Sequence, residues 1–499
     1  MNRGPIVTFV LLAAVALAYY RAVTTNAFAW DDGYMVLNNP TIRDLANWPA
    51  MFLSPWATGV AYELGQAQNR PYYRPIAELT MALDYAISGP DPSTFHATNI
   101  LVHLLAALCL FLWLRRLLPA GPWAGLAAII FAIHPVHTEA VNVVSYRTTT
   151  LAGAFTFGTL LALTHPTTQV RILTGVFGFA LALLSKETAV VLPALLLLQD
   201  LRLGAFTRRR MLMVYLPLLV LAGAYLLLRA SITTAPYYSY FEGLSPWQTV
   251  MMVPRVFFLY VRLALLPWPL CPFYDWSILR APTSPLEPDI LAGAVLLLAV
   301  VAGALLAKDR LVSLGLGFFL VALLPVSHVV PFFDAAGERF VYVPLAGLLL
   351  AGAAEASSLR PALGRLALSV AILVVVAFGA LTMVRTAEWQ DSETILRATT
   401  RDFPTSVSAH LGLARLLLDA SRPEEAVPEL VEVTRLAPRL SVGYGLLVVA
   451  RARSKDQRGA IETLRMAPLP KRGLPSAAQI ARNEFLKAGE GRLAAELGL

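Results

Sequence analysis

Twelve apolar runs of roughly membrane length fill most of the first 385 residues of this 499-residue chain. They fall at 5–22, 94–114, 122–142, 148–164, 170–184, 188–201, 211–230, 250–267, 289–307, 311–330, 340–356 and 363–385. A bilayer core of about 30 Å takes about 20 apolar residues in a helix, and a backbone in lipid must satisfy its own polar groups. Over this stretch the chain is therefore read as a bundle of membrane helices. The composition agrees: 14% of residues are charged and the mean hydropathy is +0.62, whereas a soluble domain carries roughly 25% charged residues.

Basic residues collect in short connections: Arg115-Arg116, Arg171, Arg202 with Arg208-Arg209-Arg210, Lys308 with Arg310, and Arg360 with Arg365. Cytoplasmic loops gather Lys and Arg, so these connections are expected inside. Asn2-Arg3 puts the N-terminus inside, and the first run reads as a retained anchor, not a cleaved signal peptide. Parity then demands that one run between Arg210 and Lys308 fail to cross. The run at 250–267 contains Pro254, Arg255 and Arg262, and charge at mid-membrane is costly. It is expected to be a broken or re-entrant helix near the outer surface. That leaves about eleven crossings and puts the C-terminus outside.

The outer loop at 25–93 is rich in aromatic residues (Trp30, Trp48, Phe52, Trp56, Tyr62, Tyr72 and Tyr73), as are Tyr237, Tyr238, Tyr240 and Phe241 after a later span. Aromatic rings of this kind favour the membrane–water boundary, and a loop this long in a compact protein is more often functional. The apolar runs stop after 386. From 387 to 499 a 34-residue period appears, as in Ala426 and Ala460, Leu396, Leu430 and Leu464, or Pro404 and Pro438. That is the period of tetratricopeptide helix pairs, here with one well-kept repeat and degenerate neighbours. Such repeats bind extended peptides, so a protein or peptide partner is expected there. Cys109 and Cys271 have neither a CxxC partner nor a neighbouring His pair, which argues against a disulfide framework or structural zinc. The net charge of +8 is dispersed among the connections and is no nucleic-acid footprint.

Four polar constellations stand at span ends that this topology places outside. They are Asp31-Asp32 with Arg74; His134, His137 and Glu139 followed by Arg147; Lys186-Glu187; and Glu338-Arg339 with Tyr342. Each has an ordinary structural reading: helix-capping carboxylates, imidazoles bonded to free carbonyls, or neighbouring charges that hold helix ends at the surface. The His/Glu trio lacks His-Glu-x-x-His spacing, and no metal site is assigned. Together, however, acids and bases would converge on one face of an apolar bundle, where unpaired charge is expensive. Carboxylates that take a proton and cations that meet a phosphate suit a transferase whose sugar donor is carried on a lipid phosphate.

These motifs resemble the TMTC family of transmembrane O-mannosyltransferases with tetratricopeptide repeats, and more broadly the GT-C class of polyprenyl-phosphate-dependent glycosyltransferases. The resemblance rests on Trp30-Asp31-Asp32 followed by Asn38-Asn39-Pro40, Tyr73-Arg74-Pro75, Phe95-His96-Ala97-Thr98-Asn99 with His103, His134 to Val141, Ser185-Lys186-Glu187, and Glu338 to Pro344. It implies an all-α GT-C-type membrane domain at 1–386 and a repeat domain at 387–499. It also implies a sugar–phosphate–polyprenol donor, with mannose as the family default, and a hydroxyl acceptor such as protein Ser/Thr. The catalytic carboxylate then falls on Asp31 or Asp32, with Asp31 favoured as base and Asp32 as its partner. Lys186, Arg339 and Arg74 become donor-phosphate contacts, while His134, His137, Glu139, Glu187, Glu338, Tyr342 and His96 line the cavity. The Leu/Ala/Arg-rich style suggests a bacterial inner membrane with the site and the repeats periplasmic. The rival reading is a non-catalytic transporter or scaffold that holds partners through its tail. It is disfavoured because the polar groups sit at span ends and the two halves show no internal symmetry.

Overall fold

The computed structural model describes residues 4–56, 72–164, 168–233, 244–329, 334–469 and 475–499. Tyr62 and the aromatic cluster at 237–241 lie outside the described residues. The chain forms two compact units: Met1–Leu270 with Ala281–Asp391, and Cys271–Arg280 with Ser392–Leu499. Among the described residues the secondary structure is helical, with no strand.

In the first unit, among the described residues, seven helices are long and apolar enough to cross a membrane: Ile6–Thr24, Pro92–Leu117, Arg208–Ile232, Pro246–Leu265, Pro288–Leu306, Glu338–Ser358 and Pro361–Glu388. An eighth results if Trp123–Ala132 and Pro135–Asn142, bent by 45°, count as one span, and Gln169–Ser185 and Arg310–Val326 are shorter apolar helices. Length and composition thus leave the expected count of about eleven crossings unconfirmed among the described residues. The difference comes from runs that break or stop where polar residues begin.

One expectation is corrected. The run at 250–267 is not broken: Pro246–Leu265 is a continuous helix with Pro254 inside it. Gly293 lets the helix Pro288–Leu306 close on it, since a Cβ there would come within 1.9 Å of the Pro254 carbonyl oxygen. Arg255 is satisfied by Glu287 and by Asp289 (2.8 Å), so its charge is paired. Further along, Phe257 packs on Phe319, Tyr260 donates to the Val326 carbonyl (3.4 Å), and His134 faces the Ala264 carbonyl (3.1 Å).

The true break lies at His134-Pro135. Proline cannot donate to the ladder, so carbonyls before it lose their partners. Side chains replace them. The His137 ring bonds the Phe131 carbonyl through Nδ1 (2.8 Å), the Thr382 hydroxyl donates to the Ile133 carbonyl (2.7 Å), and His134 Nδ1 accepts from the Val136 amide (3.2 Å). At the opposite end of the unit, Arg202 donates to the Ala304 carbonyl (2.8 Å) and Arg210 to the Leu163 carbonyl (2.6 Å). Cations suit the free carbonyls of helix C-termini. The basic connections thus share one face and the polar constellations the other.

The second unit is a run of helix pairs: Val407–Asp419 with Pro423–Leu436, Ser441–Arg453 with Gln457–Met466, and Ala477–Lys487 with Gly491–Glu496. The buried small positions Ala409, Gly443 and Ala477 stand at 34-residue steps, as do Ala426, Ala460 and Ala494. The repeat is thus kept more evenly than the letters suggest, because any small residue lets the paired helices touch. His410 joins the first pair: Nδ1 faces Glu429 at 2.5 Å and Nε2 faces the Pro404 carbonyl at 3.1 Å. Both partners favour a ring that carries hydrogen on both nitrogens. Burial opposes that charge, but Glu429 and the Pro404 carbonyl outweigh it and raise the His410 value above 6.5. A raised value in the folded state means that the pair's stabilisation is fully present below 6.5 and is lost as pH rises through the folded value. Hydrogen exchange of the Val407–Asp419 helix, corrected for intrinsic rates, is expected to speed up as pH rises above 6.5 in the wild type but not in His410→Gln.

Candidate functional site

The constellations converge. Arg74, placed just before the helix Pro75–Ser88, makes a bidentate pair with Glu187 (2.7 and 3.1 Å). Tyr72 stacks 4.4 Å from the same guanidinium. Burial would raise the Glu187 carboxyl, but Arg74 beside it holds the value at about 2. Arg339 binds Glu139 twice, through its amide (2.7 Å) and its Nη1 (2.5 Å), and reaches Asp334 with Nη2 (2.6 Å).

Lys186 stands between these two arginines. It caps the helix Gln169–Ser185, is 4% exposed, and donates to the Thr149 hydroxyl (2.7 Å), with the Phe340 ring 5.3 Å away. No carboxylate lies within ion-pair distance of its Nζ among the described residues. Burial, reinforced by Arg74 and Arg339, pushes it down to about 7. Thr149, Thr156, Lys186, Thr188, Arg339 and Phe340 line one cavity.

Tyr146 links this cation cluster to the first loop. Its ring lies 4.4 Å from the Arg339 guanidinium, and its hydroxyl donates to Asp31 Oδ2 (2.8 Å). The two neighbouring aspartates differ completely in use. Asp32 is 0% exposed, and its oxygens accept from the amides of Ser145 (2.7 Å), Val144 (3.0 Å) and Ala29 (3.3 Å). Burial pushes it up to about 7 against the pull of those amides. Asp31 is half-buried and bonded to the Tyr146 hydroxyl. Burial raises it, partly offset by Tyr146 and Arg339. Trp30, just before, has φ of +60°, a left-handed conformation that bulky residues rarely hold and that turns the pair apart. Asp32→Ala leaves three buried amides without acceptors. The expected cost is about 3 kcal/mol or more, read as a fall in thermal stability in detergent, with Asp31→Ala, which orphans only the Tyr146 hydroxyl, costing less by the same measure.

Of the other residues singled out in the sequence, Tyr342 lines the same cavity as Lys186 and Arg339, while His96, His134, His137 and Glu338 stand elsewhere. His134 and His137 brace the broken helix, and His96 Nε2 faces the Ala27 carbonyl at 3.2 Å. The Tyr342 hydroxyl meets His103 Nδ1 (2.7 Å), Glu338 faces Arg385 at 3.9 Å, and Arg147 pairs with Asp84 (2.5 Å) and Asn99 (2.6 Å). Glu139 and Glu187 do join the cluster, as arginine partners. Tyr146, Thr149 and Asp334 escaped sequence reasoning. The signal for Asp334 was an acidic residue four positions before Glu338-Arg339, in an otherwise apolar connection. Among the described residues, no three His, Cys, Asp or Glu side chains gather closely enough to hold a metal.

Fold and site define a class: a multi-span helical membrane protein whose buried cations and first-loop carboxylate meet on one face. Within that class the chain is similar to the TMTC O-mannosyl-transferases. It is 26% identical over 492 residues to protein O-mannosyl-transferase TMTC4 of Homo sapiens, covering 84% of this chain and 64% of that protein. To TMTC1 of Homo sapiens it is 25% identical over 491 residues, covering 86% and 55%. The chain thus spans less than two thirds of the length of these relatives. No protein-family model matches it. Among solved structures, ArnT from Cupriavidus metallidurans bound to undecaprenyl phosphate aligns with a TM-score of 0.41 at 13% identity, over 97% of this chain and 85% of that one.

Proposed function

We propose that this chain is a membrane glycosyltransferase that moves a sugar, mannose by its resemblance to the TMTC relatives, from a polyprenyl phosphate to a hydroxyl acceptor such as protein Ser or Thr. One observation carries the reading: a buried lysine, flanked by two arginines, has no carboxylate within ion-pair distance among the described residues. A buried charge without a partner is expensive. Lys186 therefore suits a site whose anion arrives with the substrate, and a lipid-borne phosphate reaches that depth without leaving the bilayer. Arg339 adds a second donor, and Arg74, already neutralised by Glu187, orients the far side.

Asp31 is the general base. The acceptor oxygen attacks the sugar's anomeric carbon as its proton passes to Asp31, and the bond from that carbon to the phosphate oxygen breaks. The leaving polyprenyl phosphate takes the electron pair, stabilised by Lys186 and Arg339, and Asp31 then returns the proton to solvent. Asp32 positions Asp31 through the backbone. The site face is assigned to the periplasm of a bacterial inner membrane, and the repeat tail to binding a peptide acceptor. The test is transfer of radiolabelled mannose from polyprenyl-phosphate mannose to a Ser/Thr-rich peptide by the purified protein in nanodiscs. Transfer is expected from the lipid donor and not from GDP-mannose. Absence of transfer from any polyprenyl-phosphate sugar, including glucose and aminoarabinose, contradicts the reading.

A further inference from the structure

Arg339 carries two carboxylates, and they are not equivalent. Glu139 is fully buried and bonds both the amide and the guanidinium, which fixes the arginine to the broken helix. Asp334 touches only Nη2, and its side chain stays 16% exposed. Its charge is felt by Lys186 and Arg74 as well as by Arg339, so it stands among the cations assigned above to the donor. It also raises Asp31, so it lies on the side where the base waits. The backbone here is held independently of that carboxylate. His328 bonds the Ala335 carbonyl at 2.7 Å, and Gly337 leaves room for the guanidinium, since a Cβ there would lie 3.1 Å from Arg339 Nη1. Rotation of one short side chain is enough to vacate Nη2.

A phosphate and a carboxylate cannot share those donors, because like charges side by side cost several kcal/mol. We propose, resting on the lipid-phosphate reading, that Asp334 is an exchangeable counter-ion seated where the donor's phosphate binds Arg339. The incoming phosphate displaces it, and its return helps expel the polyprenyl phosphate left after transfer. Asp334 thereby sets donor affinity and product release without touching the reacting carbon. The same competition shields the site from free phosphate, which lacks a lipid tail to offset the exchange.

The experiment titrates undecaprenyl phosphate and inorganic phosphate onto wild type, Asp334→Asn, Asp334→Glu and Lys186→Met in nanodiscs, with steady-state transfer alongside. Asp334→Asn is expected to bind undecaprenyl phosphate about tenfold more tightly. Inorganic phosphate is expected to become a measurable competitor in Asp334→Asn only. Donor KM and kcat should fall together, because product leaves slowly. Asp334→Glu keeps the charge and should resemble wild type, which covers the case in which Asn fails to fold: a Glu variant that binds tightly also overturns the proposal. A purely structural Asp334 predicts weaker binding in Asp334→Asn. If Lys186→Met weakens binding while Asp334→Asn weakens it or leaves it unchanged, counter-ion exchange is wrong and the lipid-phosphate site stands. If Lys186→Met leaves affinity unchanged, the lipid-phosphate reading itself fails.

Discussion

Asp31→Asn is expected to lower sugar transfer by about 10²–10⁴-fold, the range that positioned general bases contribute. Asparagine has the same shape and still accepts from the Tyr146 hydroxyl, which bonds Asp31 Oδ2 at 2.8 Å. Fold and donor affinity should therefore survive, and the loss should sit in kcat. The neighbouring Asp32 behaves oppositely: its oxygens hold three amides, so its replacement acts through stability. The comparison is measured as turnover and melting temperature for both variants side by side. Wild-type turnover in Asp31→Asn would remove the carboxylate from the chemistry.

Lys186→Met is expected to weaken binding of polyprenyl phosphate by about 10–100-fold, since a hydrogen bond to a charged group is worth about 1.5–3 kcal/mol. Methionine keeps the apolar stem and deletes only the charge. The unliganded protein should become more stable, because a buried cation without a carboxylate partner is removed. The pH dependence follows with a definite sign. Burial and the two arginines lower Lys186 from 10.5 to about 7. Between those values the unfolded chain binds more protons, so unliganded wild-type stability gains from rising pH across that window. Lys186→Met abolishes that gain, and bound phosphate shrinks it by raising the lysine again. Thermal unfolding at a series of pH values, with and without undecaprenyl phosphate, reads all three effects. An unchanged profile in the variant contradicts the assignment.

Much of this arrangement was legible in the chain because charge is scarce in it. Arg74, Glu139, the Lys186-Glu187 pair and Arg339 lie far apart in a largely apolar sequence, and charged groups at span ends had few places to go except to one another. The basic connections marked the opposite face for the same reason. What stayed hidden depends on backbone detail. Asp31 and Asp32 are neighbours of one type, and only the turn at Trp30, with φ of +60°, sends one to the amides and the other to Tyr146. His134 and His137 read as cavity residues, yet Pro135 frees backbone groups that both rings are needed to satisfy. Arg255 suggested a broken helix because Asp289, its partner, lies 34 residues further on. The later repeats looked degenerate because the buried position at 409, 443 and 477 is held by Ala, Gly and Ala in turn.

The central claim is that the cluster around Lys186 exists to hold a phosphate carried by a lipid. Paired titrations of the wild-type protein with undecaprenyl phosphate and with undecaprenol, identical but for the phosphate, test it most directly. Saturable binding of the phosphate, with none of the alcohol at the same concentrations, is the predicted result. Equal affinity for the two lipids would contradict it.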